Sequence, residues 1–277
     1  MSKGKLRQIK KRIDSTRSTM QITRAMEMVA RAKIKKIERT LQYVRMTEKG
    51  LRRALTIAAR EISELPYEYG EGEVLVVVTS DMGLCGSFNS EILKHSDRIL
   101  EKEDVRSIVT VGTKAEVHYR HNDKVKEVFS KFYDEPDIEA AGVIADRLFD
   151  LMKRENASGL KFVYSRFKSS LAQTADTMRV FPVDLSDSDS DVYDFEPEIE
   201  ILFEELVTSW VINSVLLAMH ETKVGELHAR QNAMRNATEN AEKMIERLTL
   251  GKNKLRQATI TQEIIEVVNG AEALRGE

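Results

Sequence analysis

The sequence predicts two architectures in one chain. One is a central α/β domain, Rossmann-like with a mainly parallel sheet; the other is a long antiparallel two-helix coiled coil made by the terminal helices. Three patterns predict this. A heptad of apolar residues runs through the first 65 residues, a second helical seam occupies the chain from residue 197 onward, and short β-type runs alternate with helical ones between them. The division expected is residues 1–65, 66–196 and 197–277.

The first heptad falls on Leu6, Ile9, Ile13, Thr16, Met20, Thr23, Glu27, Ala30, Ile34, Ile37, Leu41, Val44, Glu48, Leu51, Leu55, Ala58, Ile62 and Leu65, fourteen of these eighteen being apolar. Such a helix would run for about 90 Å at 1.5 Å per residue and needs an equally long partner. The C-terminal stretch is the one that qualifies. Thr16, Thr23 and Glu27 break the pattern beside a second apolar face, Ile22, Ala25, Met26 and Val29, with Arg24, Arg31 and Lys33 between. Two readings fit: a locally wider coiled-coil core, or a collar touched by a third protein surface. Residues 1–60 hold 18 Lys and Arg against 4 Asp and Glu, a net of +14; the other 217 residues hold 25 against 41, although the whole chain carries only -2. That asymmetry gives the N-terminal segment an electrostatic role.

Pro66 to Gly72 reads as a linker, and Val74–Thr79 as a strand buried on both faces. The turn Ser80–Asn89 leads into a helix over Ser90–Leu100, the way a phosphate site begins. Walker and dinucleotide spacings are both missing, so no nucleotide or other cofactor is expected there. Cys85 has no nearby His to activate it as a nucleophile. The alternation continues with strands Val105–Val111, Lys126–Phe132, Leu160–Phe167 and about Thr177–Val183, and helices Thr113–His121 and Pro136–Arg154. His118 and His121 lack the companions of a metal site and read as surface residues. The aspartates between Asp184 and Asp194 lack the glycine and closing glutamate of a calcium loop. No catalytic constellation emerges.

Pro197 opens the second long helix, whose seam passes through Leu206, Trp210, Leu217, Val224, Leu227, Met234, Ala241, Ile245, Leu248 and Leu255. Arg235, Glu239, Glu242, Lys243, Glu246 and Arg247 fall outward. After Thr259 the stripe shifts to Ile260, Ile264, Val267, Ala271 and Leu274, joined by Ile265 and Val268, so the tip is apolar on more than one side. One partner helix would leave part of it bare; something must enclose it. Gly225, Gly251 and Gly270 lie inside this helix and suggest close backbone approach. Counting equal distances from Leu65 and Pro197 sets Leu6 beside roughly residue 256 in an antiparallel pair.

Composition bounds the rest. Charged residues are 32% and aromatics 6%, with 4 prolines, which suits long solvated helices better than an aromatic-lined cleft. A single cysteine excludes an internal disulfide and points to a reducing compartment. No apolar run is expected to reach the ~20 residues of a membrane span. The basic N-terminus continues into the heptad, so it reads as structure and not as a targeting segment.

Three stretches resemble the gamma subunit of F-type ATP synthases: Ile13 to Lys35 with Ile22-Thr23-Arg24-Ala25-Met26-Glu27-Met28-Val29-Ala30, the Ser80–Asn89 turn, and Ala233 to Ala271 with Arg256-Gln257-Ala258-Thr259-Ile260-Thr261-Gln262-Glu263-Ile264. The resemblance implies a non-catalytic central-stalk rotor that couples ion flow through a membrane ring to ATP synthesis or hydrolysis by rotation. It implies the alpha and beta subunits, the epsilon subunit and the membrane c-ring as partners. It places Arg24, Met26, Arg31 and Lys33 at a collar facing acidic levers of beta, and Arg230, Arg256, Gln257, Thr261 and Glu263 at coupling contacts. Ile264, Ile265, Val267, Val268, Ala271 and Leu274 would form an apolar bearing tip. Met82 stands where the family usually has arginine, and Gln231 where methionine is common. The lone Cys85 excludes the chloroplast regulatory dithiol, and the missing transit peptide favours a bacterial protein at the cytoplasmic face of the inner membrane.

The competing reading is a basic coiled coil that scaffolds or binds nucleic acid, since +14 would attract phosphates. That segment offers one aromatic residue, Tyr43, for base stacking, so no nucleic-acid partner is expected. An enzyme built on the α/β domain is the third reading, and it would require a bound cofactor or a turnover.

Overall fold

The computed structural model describes residues 2–62, 70–131, 135–169, 173–183 and 198–275. In chain order the elements are α1 Ser2–Ala58, β1 Glu73–Val78, α2 Phe88–Lys102, β2 Val105–Val111, α3 Thr113–Tyr119, β3 Val125–Phe129, α4 Ile138–Arg154, β4 Gly159–Phe167, β5 Gln173–Phe181 and α5 Ile199–Arg275. They fall into two compact units, residues 1–29 with 231–277 and residues 30–230. The Asp-rich stretch after Asp184, Leu65 and Pro197 lie outside the described residues, as does the side chain of Leu274.

The larger unit is built on a five-stranded sheet in the order β3-β2-β1-β4-β5. β1 pairs parallel with β2 and β4, and β2 pairs parallel with β3. Parallel neighbours need a crossover, which α2, α3 and α4 supply in turn; the short step from β4 to β5 permits the antiparallel pair found there. β1 reads as an unbroken Val and Leu run because both its faces are covered. Val74, Val76 and Val78 pack with Ile144, Leu148 and Leu151 of α4 and with Phe203, Val207 and Trp210 of α5. Leu75 and Val77 pack with Ile92 of α2 and Ala115 of α3.

Within this unit α1 runs antiparallel to α5: Ala30 and Ile34 meet Leu227, Leu41 and Val44 meet Leu217 and Val224, and Leu55 and Ala58 join Trp210. α5 from Trp210 to His228 is buried almost continuously. Between Ile199 and Ala271 α5 contains an 18-residue window of mean hydropathy 1.5, which by length and composition could cross a membrane. That corrects the expectation of no such run. Half of the window is buried against the protein's own sheet and helices, as a helix apolar all round demands.

In the smaller unit the two helices are again antiparallel. The Thr23 and Thr238 hydroxyls share a buried hydrogen bond of 2.8 Å, and Thr16 Oγ1 lies 3.8 Å from Met244 Sδ. Leu6, Arg7 and Lys10 line one groove with Arg256, Thr259 and Ile260, the register that residue counting sets. Every α1 heptad position from Leu6 to Ala58 is buried or half-buried, including the polar exceptions. The Thr23–Thr238 pair shows why a hydroxyl is tolerated in the seam: it is satisfied across it. α1 ends at Ala58, earlier than the heptad suggests, yet Ile62 still packs on the core. Apolar spacing reports burial, and burial continues past the last helical turn.

Candidate interaction surfaces

The Ser80–Asn89 turn is wired to itself. Ser80 N–H donates to Asn89 Oδ1 at 3.0 Å, and the Ser80 hydroxyl donates to Met82 O at 2.7 Å. Asp81 Oδ1 accepts from Thr113 N–H at 2.9 Å, the Thr113 hydroxyl at 2.8 Å and Lys131 N–H at 3.1 Å. The Asp81 carboxylate thus fastens this turn to the start of α3 and to Lys131. Gly86, at φ +61°, supplies the left-handed residue that the turn needs; Leu84 adopts φ +64° without that freedom and stands 60% exposed beside the exposed Met82. Cys85 is buried beneath them, and burial pushes its thiol above the ordinary range, with Arg230 pulling back. A buried, protonated thiol is a poor nucleophile.

An open α/β sheet usually takes its ligand beyond the strand ends where the order reverses, here between β1 and β4. α5 occupies that place. Thr222 Oγ1 accepts from Ser165 N–H at 3.2 Å, and Glu221 Oε2 accepts from Phe167 N–H at 2.8 Å. Gly225 permits the approach, because a Cβ there would lie 2.9 Å from Ser165 Oγ and 3.0 Å from the Phe88 ring. Gly251 and Gly270 have nothing within 4 Å, so close approach explains one of the three helical glycines. Glu221 is held by Arg45 Nε at 2.7 Å; burial raises its carboxyl, and the Phe167 amide and Arg45 offset part of that rise. Among the described residues no group of His, Cys, Asp and Glu could hold a metal ion.

Arg230 lies inside the larger unit at 8% exposure. Its guanidinium pairs with Glu226 and donates to Gly83 O at 3.1 Å and Met82 O at 3.4 Å, while Lys223 Nζ lies 3.2 Å from Glu226 Oε2. Arg230 was named from the sequence, as a coupling contact, but its partners Lys223 and Glu226 were not. The signal was present as Lys223, Glu226 and Arg230 at helical spacing inside an otherwise apolar run, where charges survive only when paired. The other positions named from the sequence sit on surfaces. Arg24, Arg31 and Lys33 are exposed and Met26 is half-buried, beside Ile22 at 61% and Val29 at 58% exposure. The second apolar face of α1 is thus bare within the chain. Arg256, Gln257, Thr261 and Glu263 are exposed, as is every residue from 260 to 271. Ile264, Ile265, Val267 and Val268 are 47–71% exposed, and Ala271 is exposed with them.

The sequence matches the family described as ATP synthase over residues 5–274. It is 33% identical to the ATP synthase gamma chain of Clostridium beijerinckii over 282 residues, covering 99% of each chain. It is 34% identical to that of Mycobacterium tuberculosis over 301 residues, covering 97% of each. The chain belongs to the ATP synthase gamma family. As a gamma-family subunit it is part of the ATP synthase complex, a membrane-associated assembly, which agrees with the resemblance carried by the three sequence stretches. Solved structures agree on the fold. A chain of the Euglena gracilis mitochondrial ATP synthase is similar with TM-score 0.74 at 18% identity, covering 98% of this chain and 95% of that one. One from the Tetrahymena thermophila mitochondrial ATP synthase central stalk and c-ring has TM-score 0.61 at 22% identity, covering 78% and 99%. The α/β domain with coiled-coil helices is the gamma-family fold.

Proposed function

We propose that this gamma-family chain is the rotor that couples ion translocation through the membrane c-ring to ATP synthesis and hydrolysis at alpha/beta catalytic sites, and that it contributes no catalytic group itself. In this reading residues 1–65 and 197–277 are the turning coiled coil and 66–196 the domain that meets the epsilon subunit and the ring. The assembly works at the cytoplasmic face of a bacterial inner membrane. Arg24, Met26, Arg31 and Lys33 form the collar against acidic levers of beta. Arg256, Gln257, Thr261 and Glu263 make the coupling contacts, with Arg230 positioning the turn that carries Met82 and Leu84. Ile264, Ile265, Val267, Val268, Ala271 and Leu274 turn as an apolar bearing.

The observation that carries this reading is the helix tip. Four large aliphatic side chains between Ile264 and Val268 are about half exposed or more, an arrangement that water penalises unless a sleeve encloses it. A wet, sliding contact between basic and acidic surfaces suits the collar, since exposed charge pairs are individually weak and interchangeable. The test uses the assembled ATP synthase in vesicles. Met26→Lys adds a charge beside the proposed levers and is expected to leave hydrolysis while lowering the pumping obtained per ATP. Deleting residues 270–277 is expected to be milder than deleting from Ile260. Unchanged coupling in the first variant removes the collar, and equal loss of assembly in both truncations removes the bearing.

A further inference from the structure

The outer edge of β5 borders a groove that the rotor reading leaves unused. β5 is the last strand of the sheet, and among the described residues nothing pairs with its free edge. A cavity of about 1110 Å³ runs along that edge, between it and α1. Successive residues of β5 that face opposite sides of the sheet line it. Met178 packs toward α5 with Leu217, while Thr177 on the opposite face meets His95 of α2 at 2.9 Å. The groove therefore opens onto the strand edge itself.

Its charge is one-sided. Arg45, Lys49, Arg52, Arg166, Lys168 and Arg179 line it against Glu48 and Glu221. The arginines are engaged: Arg45 with Glu221, Arg52 with Glu48 at 3.5 Å, Arg166 with Asp176 at 3.2 Å, and Arg179 with Glu73 at 3.6 Å. Lys49 and Lys168 are exposed and make no ion pair with any described residue. Edge strands are commonly guarded by charge against unwanted pairing. A positive guard rejects basic strands and a second copy of β5, which would bring its own Arg166 and Arg179 nearby, and it admits an acidic strand.

We propose that this groove docks an extended acidic segment of another protein, which adds to the sheet along β5. Backbone amides would pair with the free edge. The period of two along a strand would send acidic side chains to Lys49 and Lys168 and alternate apolar ones to Met178, Val183 and Leu217. A small phosphate-type anion would use the cations and leave the apolar wall and the strand edge idle, so the peptide fits more of the observed surface.

The experiment uses the full chain and a fluorescently labelled peptide of alternating glutamate and valine, read by anisotropy at low salt. Lys49→Glu with Lys168→Glu is expected to weaken binding about tenfold, as loss of two exposed charge contacts would. Arg17→Glu, on the basic N-terminal helix outside the groove, is expected to change it less than twofold. The same peptide N-methylated at alternate amides is expected to bind at least tenfold more weakly, and β5 amides are expected to exchange more slowly when the unmodified peptide is bound. Equal binding of the N-methylated peptide, or its full displacement by inorganic tripolyphosphate at matching charge, makes this a simple anion site and overturns the proposal. An equal loss from Arg17→Glu reduces it to nonspecific attraction. If Asp187→Asn, Asp189→Asn and Asp191→Asn together raise affinity tenfold, the chain's own segment is the occupant and the intermolecular reading falls; unchanged affinity supports it.

Discussion

Residues 210–230 and residues 261–271 lie in the same helix, depart from the one-stripe pattern in the same way, and end in opposite conditions. In the first, Trp210, Val211, Val215, Ala218, Met219 and Val224 are sealed by the sheet, α1 and α4. In the second, Ile264, Val267 and their neighbours face water. A helix that is apolar on several sides must be surrounded, and the first stretch finds every surrounding surface within its own chain. The second finds none among the described residues. In the proposed rotor its surroundings come from another chain, and the same chemical pattern would then mark a core in one place and an interface in the other.

The largest effect should come from opening the sealed stretch. Trp210 is 2% exposed, its indole N–H donates to Val180 O at 3.2 Å, and the Arg52 guanidinium lies 5.9 Å from its ring. Trp210→Ala leaves a large cavity and an unpaired carbonyl, and is expected to cost about 3–5 kcal/mol, read from the urea midpoint of the isolated chain. A cost below about 1 kcal/mol would mean that the stretch is not packed as described.

Arg230→Met should follow at about 3 kcal/mol, because it leaves Glu226 buried with Lys223 as its partner and releases the carbonyls of Met82 and Gly83. Amide exchange in the 82–86 turn should quicken in this variant. Restoration by Arg230→Lys is expected to be partial, since one ammonium cannot reproduce the guanidinium's contacts to Glu226 and both carbonyls.

Much of this division could be read in the residues beforehand. The α1 heptad placed its seam positions from Leu6 to Ala58 on buried or half-buried sites because its period differs from that of a straight helix only slightly, and burial enforces it over many turns. β1 was legible because a strand covered on both faces is a continuous Val and Leu run, and β2 and β4 because short β-type runs alternate with helical ones. β5 was placed four residues late: Gln173-Thr174-Ala175-Asp176 lies at a half-exposed edge and lacks the apolar run that marks a covered strand. The wiring of α5 to the sheet through Glu221, Thr222 and Gly225 was illegible, since a periodic pattern tells which side is buried but not what it is buried against. The extra apolar faces at Ile22–Val29 and after Thr259 were visible as patterns, but the partners proposed for them needed the resemblance, because a periodic pattern does not say what covers it.

A smaller effect separates the sealed stretch from the bare one by pH. His220 is 2% exposed and burial lowers its pKa, so the ring is neutral in the fold, with Nδ1–H donating to Leu216 O at 3.0 Å. The unfolded chain takes up a proton near the ordinary value of about 6.5 while the folded chain resists it, so unfolding is favoured progressively as pH falls through and below that value. The stability of the isolated chain should decline from pH 7 to 5.5, and His220→Gln should flatten that part of the profile. Removing a residue of the bare stretch should leave its slope unchanged.

The smallest effect on the isolated chain should come from the tip itself. Val267 is 71% exposed, the highest among the large aliphatics of this segment, so Val267→Lys removes no internal packing and is expected to shift stability by no more than about 0.5 kcal/mol. In the assembled synthase, under the proposed bearing, the same change would place an ammonium inside an apolar sleeve, where burying an unpaired charge is costly. The paired measurement is therefore the informative one: an unchanged urea midpoint for the chain with a severalfold loss of ATP-driven pumping in the complex. A destabilised chain would show that the tip is already packed against its own helices, and an unaffected complex would show that nothing apolar surrounds it.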